Sequence, residues 1–131
     1  MRDYKWWWLP VLAALLLGCA ASRVDQLDIA LRAYERAIRW SDFKAAFALA
    51  GQPNAPVPDF ERLQYIRVTS YDKIGAPQIS ADGTKLAQAV EVRYVNVNRM
   101  ADRAFTDEQV WEYSEPEQRW KLTSPFPTFL Q

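Results

Sequence analysis

Three prolines within six residues, Pro53, Pro56 and Pro58, divide this chain into two parts that cannot share a regular element. Proline lacks a backbone donor and holds φ near about −65°, so neither a helix nor a central strand crosses the segment. Before it, apolar residues recur at helical spacing. After it, β-branched and aromatic residues dominate, and the period shortens towards two.

The helical half divides again. Val24, Leu27, Leu31, Tyr34 and Ile38 share one stripe, with Ala30 and Ala37 beside them, and Asp25, Arg32, Glu35, Arg36 and Arg39 fall largely opposite. This pattern predicts a helix over 23–40, with Ser22 as N-cap and Asp25 in the position of a capping-box partner. Trp40-Ser41-Asp42 interrupts it. Ser41 or Asp42 then caps a shorter helix from Phe43 to Ala50, closed by Gly51. A further short helix is signalled only if Asp59 to Tyr65 begins as one.

Four strands are predicted beyond the prolines: Leu63–Ile74, Leu86–Asn98, Phe105–Ser114 and Arg119–Thr123. Gly75-Ala76-Pro77 ends the first, and Asp82-Gly83 supplies a turn. In the second, Val90 and Val92 are followed by Val95 and Val97, a change of parity. A bulge near Tyr94, or burial on both faces, would explain it. Helices followed by antiparallel strands make an α+β domain, with the N-terminal helices packed on one face of a bent four-stranded sheet.

The first twenty residues carry a different message. Arg2 and Lys5 precede an apolar run from Trp6 to Leu17. That run falls short of the about 20 residues needed to span a bilayer, and it has the layout of a secretory signal peptide. It ends Leu16-Leu17-Gly18-Cys19, which resembles the bacterial lipobox. The resemblance implies cleavage after Gly18, a diacylglyceryl group on Cys19, and anchoring in the bilayer of a bacterial cell envelope. Ala20 rather than Asp follows the cysteine, which implies the outer membrane, facing the periplasm. The chain then divides into a signal peptide, 1–18, a lipidated tether, 19–22, and a domain, 23–131. The other reading is an uncleaved N-terminal anchor with Cys19 an ordinary core residue, since Trp6-Trp7-Trp8 suits a membrane interface.

Charge and composition exclude several classes. The chain holds 16 Lys+Arg and 16 Asp+Glu, and loss of 1–18 removes Arg2, Lys5 and Asp3, leaving a net charge of −1. No basic excess points to nucleic acid. There is no histidine, which rules out Ser-His-Asp and Cys-His nucleophile arrangements and removes the commonest metal ligand. Cys19 is the only cysteine, so no disulfide forms within the chain. Neither a cofactor nor a metal is expected.

A long helix, a short helix opened by WSDFKAAFALA, a Pro-rich loop, and strands ending VWEYSEPEQRWKLTSPFP resemble the nuclear-transport-factor-2-like, or cystatin-like, fold over roughly residues 22–126. The likeness lies in element order and in Trp111, Tyr113, Arg119 and Trp120 of the last strand pair. It implies a cone with an apolar pocket between helices and sheet. In one branch of that fold a carboxylate and a tyrosine in the pocket transfer protons. Asp107 shares parity with Phe105, Trp111 and Tyr113, and Tyr34 lies on the apolar face of the first helix. They are the candidates for those roles, against the plainer reading of a solvated carboxylate and a core tyrosine. Trp40, Arg67, Trp111 and Tyr113 are candidates for a ligand or partner site, although Arg67 also reads as a surface strand residue and the tryptophans as core. In the Pro125–Leu130 tail, Phe126 and Phe129 either form an exposed contact surface or close the end of the domain. The expectation is a lipid-anchored protein that binds an envelope protein partner or a small apolar ligand without turnover. The alternatives are a proton-transfer enzyme and a structural accessory of an envelope complex.

Overall fold

The computed structural model describes residues 8–130, with side chains over 22–130. Three helices, α1 (Trp8–Arg39), α2 (Phe43–Ala50) and α3 (Phe60–Leu63), precede four strands, β1 (Ile66–Ile79), β2 (Lys85–Asn96), β3 (Ala101–Ser114) and β4 (Arg119–Leu122). The strands form one antiparallel sheet in the order β1-β2-β3-β4, and α1 and α2 pack against it. The domain is α+β.

Helix α1 buries Leu27, Tyr34, Ala37 and Ile38, the stripe that its spacing predicts. It runs unbroken through Ser22, so Ser22 is interior and caps nothing, and Val24 lies exposed outside the apolar stripe. The helix closes by a Schellman arrangement. Asp42 N donates to Ala37 O at 2.8 Å and Ser41 N to Ile38 O at 2.9 Å, with Ser41 in the left-handed region at φ 58°. Asp42 then caps α2, its side chain accepting from Ala45 N, and Gly51 ends α2 at φ 67°. One residue thus ends a helix's closing motif and starts the next helix, which sets a sharp corner. The corner is pinned to the sheet, because Ser41 Oγ accepts from Val68 N at 2.9 Å. Asp59 caps the four-residue α3, so the segment after the prolines does begin as a helix.

The expected bulge lies in the neighbouring strand. The β2–β3 register is unbroken from Lys85↔Glu112 to Asn96↔Ala101. The shift falls in β1 between Val68 and Ser70, opposite Tyr94 and Arg93. The inward face of β2 therefore keeps even parity, with Leu86, Val90, Val92, Tyr94 and Asn96 buried. Val97, whose odd position suggested a change of face, is exposed. A second shift, between Ile74 and Gln78, carries β1 across Gly75-Ala76-Pro77, where sequence chemistry predicts a stop. On β3 the odd residues Asp107, Gln109 and Trp111 point into the core.

The tail packs inward. Phe129 is buried, its ring 4.7 Å from Phe43, 5.1 Å from Tyr94 and 5.4 Å from Phe105. Leu130 N donates to Tyr94 Oη at 2.9 Å. Phe126 lies edge-on to Phe47 at 5.4 Å and to Tyr34 at 6.5 Å. The two phenylalanines close the end of the domain and leave no exposed aromatic tail.

Candidate functional site

Two regions bring together the residues singled out from sequence. The first lies inside, between α1 and the sheet. Gln109 sits at its centre and is fully used. Its Oε1 accepts from Trp111 Nε1 at 3.1 Å and from Gln88 Nε2 at 2.9 Å. Its Nε2 donates to Tyr71 Oη and to Asp107 Oδ2, both at 2.9 Å. The indole nitrogen can only donate, so the amide's orientation follows.

Asp107 is 7% exposed, and Gln109 supplies its one side-chain hydrogen bond among the described residues. Burial pushes its pKa up, and the Gln109 hydrogen bond opposes part of that rise. Tyr34 is fully buried, and its hydroxyl has no hydrogen-bond partner among the described residues. Burial, then the nearby charge of Asp107 and then Tyr71, hold its phenol well above the usual range. Its ring stands edge-on to Trp111 at 5.2 Å. Asp107 and Tyr34 therefore meet in one electrostatic cluster, neither of them solvated.

The second region is a cleft of about 1070 Å³ between the Pro-rich loop and the strand that leads into the tail. Pro53, Pro56, Val57 and Pro58 form one wall, and Tyr113, Leu122, Phe126 and Phe129 contribute to the other. Gln52 ties the walls together. Its Nε2 donates to Leu122 O at 2.7 Å and to Ser124 O at 2.6 Å, covering the edge of β4. Arg119 Nη2 donates to Leu49 O at 2.8 Å and closes α2 from below Gly51. Neither this cleft nor a smaller hollow of about 240 Å³ beside Ile29, Leu49 and Trp120 is lined by Asp107 or Tyr34.

Tyr113, Phe126 and Phe129 line the cleft, whereas Trp111 is core. Trp40 is 81% exposed at the α1–α2 corner and lines neither hollow, which corrects both its cavity reading and its core reading. Arg67 is an exposed strand residue whose Nη1 donates to the carbonyls of Gln64 and Ile66, and it lines neither hollow. Cys19, Ala20 and Ala21 of the tether lie outside the residues whose side chains are described. Among the described residues no group of acidic or thiol side chains is placed to hold a metal ion, and no helix is long and apolar enough to cross a membrane.

Sequence reasoning passed over Gln109, Tyr71 and Gln52. The parity of Gln109 with Asp107 and Trp111 was available as a signal. Tyr71 was hidden by the β1 bulge, which moves it to the inner face. No family model matches the chain, and no curated protein or solved structure matches it.

Proposed function

We propose that this chain is an exported lipoprotein, acylated at Cys19 and held on the outer membrane facing the periplasm. Its domain, of the nuclear-transport-factor-2-like type, binds a protein partner or small apolar ligand there without turnover. The observation that carries the binding half is the apolar cleft between the Pro-rich loop and the tail. Its volume, about 1070 Å³, lies just above the usual span of small-molecule sites, about 300–1,000 Å³. The anchoring half is supported by Leu16-Leu17-Gly18-Cys19 after a basic start and a short apolar run. Two or more acyl chains hold a protein firmly, where one binds only marginally. Cys19→Ala tests it: unprocessed precursor, or release from washed membranes, is the expected outcome. A correctly cut Cys19→Ala protein that stays on the membrane overturns the lipid assignment.

The inner cluster supports a second reading, proton transfer by Asp107 as base with Tyr34 as donor. A buried carboxylate with a raised pKa, in one cluster with a hydroxyl that has no partner among the described residues, has the chemistry for it. On this reading Asp107→Asn abolishes turnover of a carbonyl substrate, such as a ketosteroid, in a folded protein. Unchanged turnover removes Asp107 from the role.

A further inference from the structure

From the chemistry of the cleft walls we infer that its ligand is a single acyl chain of a membrane-derived amphiphile. The inference deepens the binding reading above and rests on it. Five prolines line the cleft, Pro53, Pro56 and Pro58 on the loop and Pro125 and Pro127 on the tail, and none offers a backbone N–H. An extended peptide docking at a sheet edge needs free main-chain partners. Here the outward carbonyls of Leu122 and Ser124 are already taken by Gln52 Nε2. Five lining positions of the cleft thus lack a main-chain donor and two carbonyls are occupied, while the Gln52 side-chain Oε1 is left as an acceptor without a partner among the described residues.

Its charges point the same way. Four charged residues line it, and each is paired within the protein. Arg62 meets Asp59 at 3.4 Å, Glu112 meets Lys85 at 2.9 Å, and Lys121 meets Glu117 at 2.6 Å. The walls carry no surplus charge, and they complement an uncharged chain. The dimensions fit as well. The lining follows the backbone from Leu122 to Thr128, a path of up to about 20 Å if extended. One leaflet's acyl chain occupies about half of a roughly 30 Å hydrocarbon core. Tyr113, which lines the cleft, has its ring 5.6 Å below the Arg23 guanidinium, and Arg23 lies one helical turn beyond Cys19. With Cys19 in the bilayer, that contact keeps the Tyr113 side of the cleft near the membrane that supplies the ligand.

The test is a binding series on the full chain carrying Cys19→Ala, which holds no acyl group of its own. Laurate, myristate and palmitate are titrated below their micelle concentrations. Affinity is expected to rise by up to about fourfold per methylene until the cleft is filled. Val57→Asp, at a cleft residue 71% exposed, is expected to weaken palmitate at least tenfold and leave the fold intact. Affinity independent of chain length, or palmitate binding untouched by Val57→Asp, overturns the assignment. A photocrosslinking residue in place of Val57, in cells, separates the two levels. A protein adduct without fatty-acid binding overturns the acyl ligand and leaves the cleft as a docking site. Absence of both removes the cleft from binding altogether.

Discussion

The space between α1 and the sheet and the space between the Pro-rich loop and the tail have opposite characters. The inner one is filled and polar at its centre. Asp107 sits there with one side-chain hydrogen bond, and the Tyr34 hydroxyl has none among the described residues. The outer one is open and apolar, yet every charged group that lines it has an ion partner. The unmet polar demand at the centre of the fold lies where neither cleft reaches, whereas, among the described residues, the cleft's own unmet polar atom is the neutral Gln52 Oε1 and its charged groups are all paired. Stability and binding should then respond to different substitutions, and the predictions are ways of breaking that separation.

The largest effect is expected where the two regions share a wall. Phe129 belongs to both, since it lines the cleft and packs its ring among Phe43, Tyr94 and Phe105. Phe129→Ala removes a buried ring and leaves a cavity, so urea denaturation should show a loss of about 3–4 kcal/mol. A loss below about 1 kcal/mol would mean that the tail is not part of the core in solution, and the cleft would lose one wall.

A smaller effect of opposite sign is expected at Asp107. Its pKa is raised in the folded protein, so the folded state holds the proton more tightly than the unfolded chain does. The group's contribution is most favourable below the unfolded pKa. It falls as pH rises and reaches its full penalty above the folded pKa. Asp107→Asn keeps an acceptor for Gln109 Nε2 and removes the charge. At pH 7 the variant should be more stable by about 1–2 kcal/mol, and its stability should fall less than that of the parent as pH rises above the usual carboxylate range. Melting curves through that rise decide it. A destabilised variant would show that the charge has a partner in solution and would sharpen the case for proton transfer.

Much of this architecture was legible because it rests on short-range chemistry. Asp42, Gly51 and the spacing of Leu27, Leu31, Tyr34 and Ile38 specify the two main helices from neighbours only a few residues away. The shared parity of Asp107 and Trp111 on β3 likewise announced that they face one way. What escaped depends on contacts between distant residues. The β1 bulge at Val68/Ser70 is stabilised from outside its strand, by Ser41 Oγ, 27 residues earlier. Nothing local to Tyr94 distinguishes a bulge in its own strand from one in the strand beside it. The cleft is equally non-local. Its walls are joined by Gln52 reaching 70 residues along the chain to Leu122. Composition marks the Pro-rich loop as irregular but does not say what it stands against. Trp40 failed for a related reason, since a tryptophan at a helix corner is core or surface according to which elements pack there.

The smallest effect, and the most discriminating, is expected at Tyr34. Tyr34→Phe keeps the ring against Trp111 and Phe126 and deletes only a buried hydroxyl that has no partner among the described residues. Removing an unpaired polar atom gives up no hydrogen bond and lifts its desolvation penalty, so stability should change by no more than about 0.5 kcal/mol or rise slightly. Combining it with Asp107→Asn gives a double-mutant cycle. If the cluster is two separate strains, the changes add within about 0.5 kcal/mol. A loss above about 1 kcal/mol for Tyr34→Phe alone, with clear coupling to Asp107, would mean that the hydroxyl donates to the carboxylate in solution. The inner region would then be a satisfied hydrogen-bonded pair, as an acid–base site requires, and the contrast with the cleft would narrow to one of access.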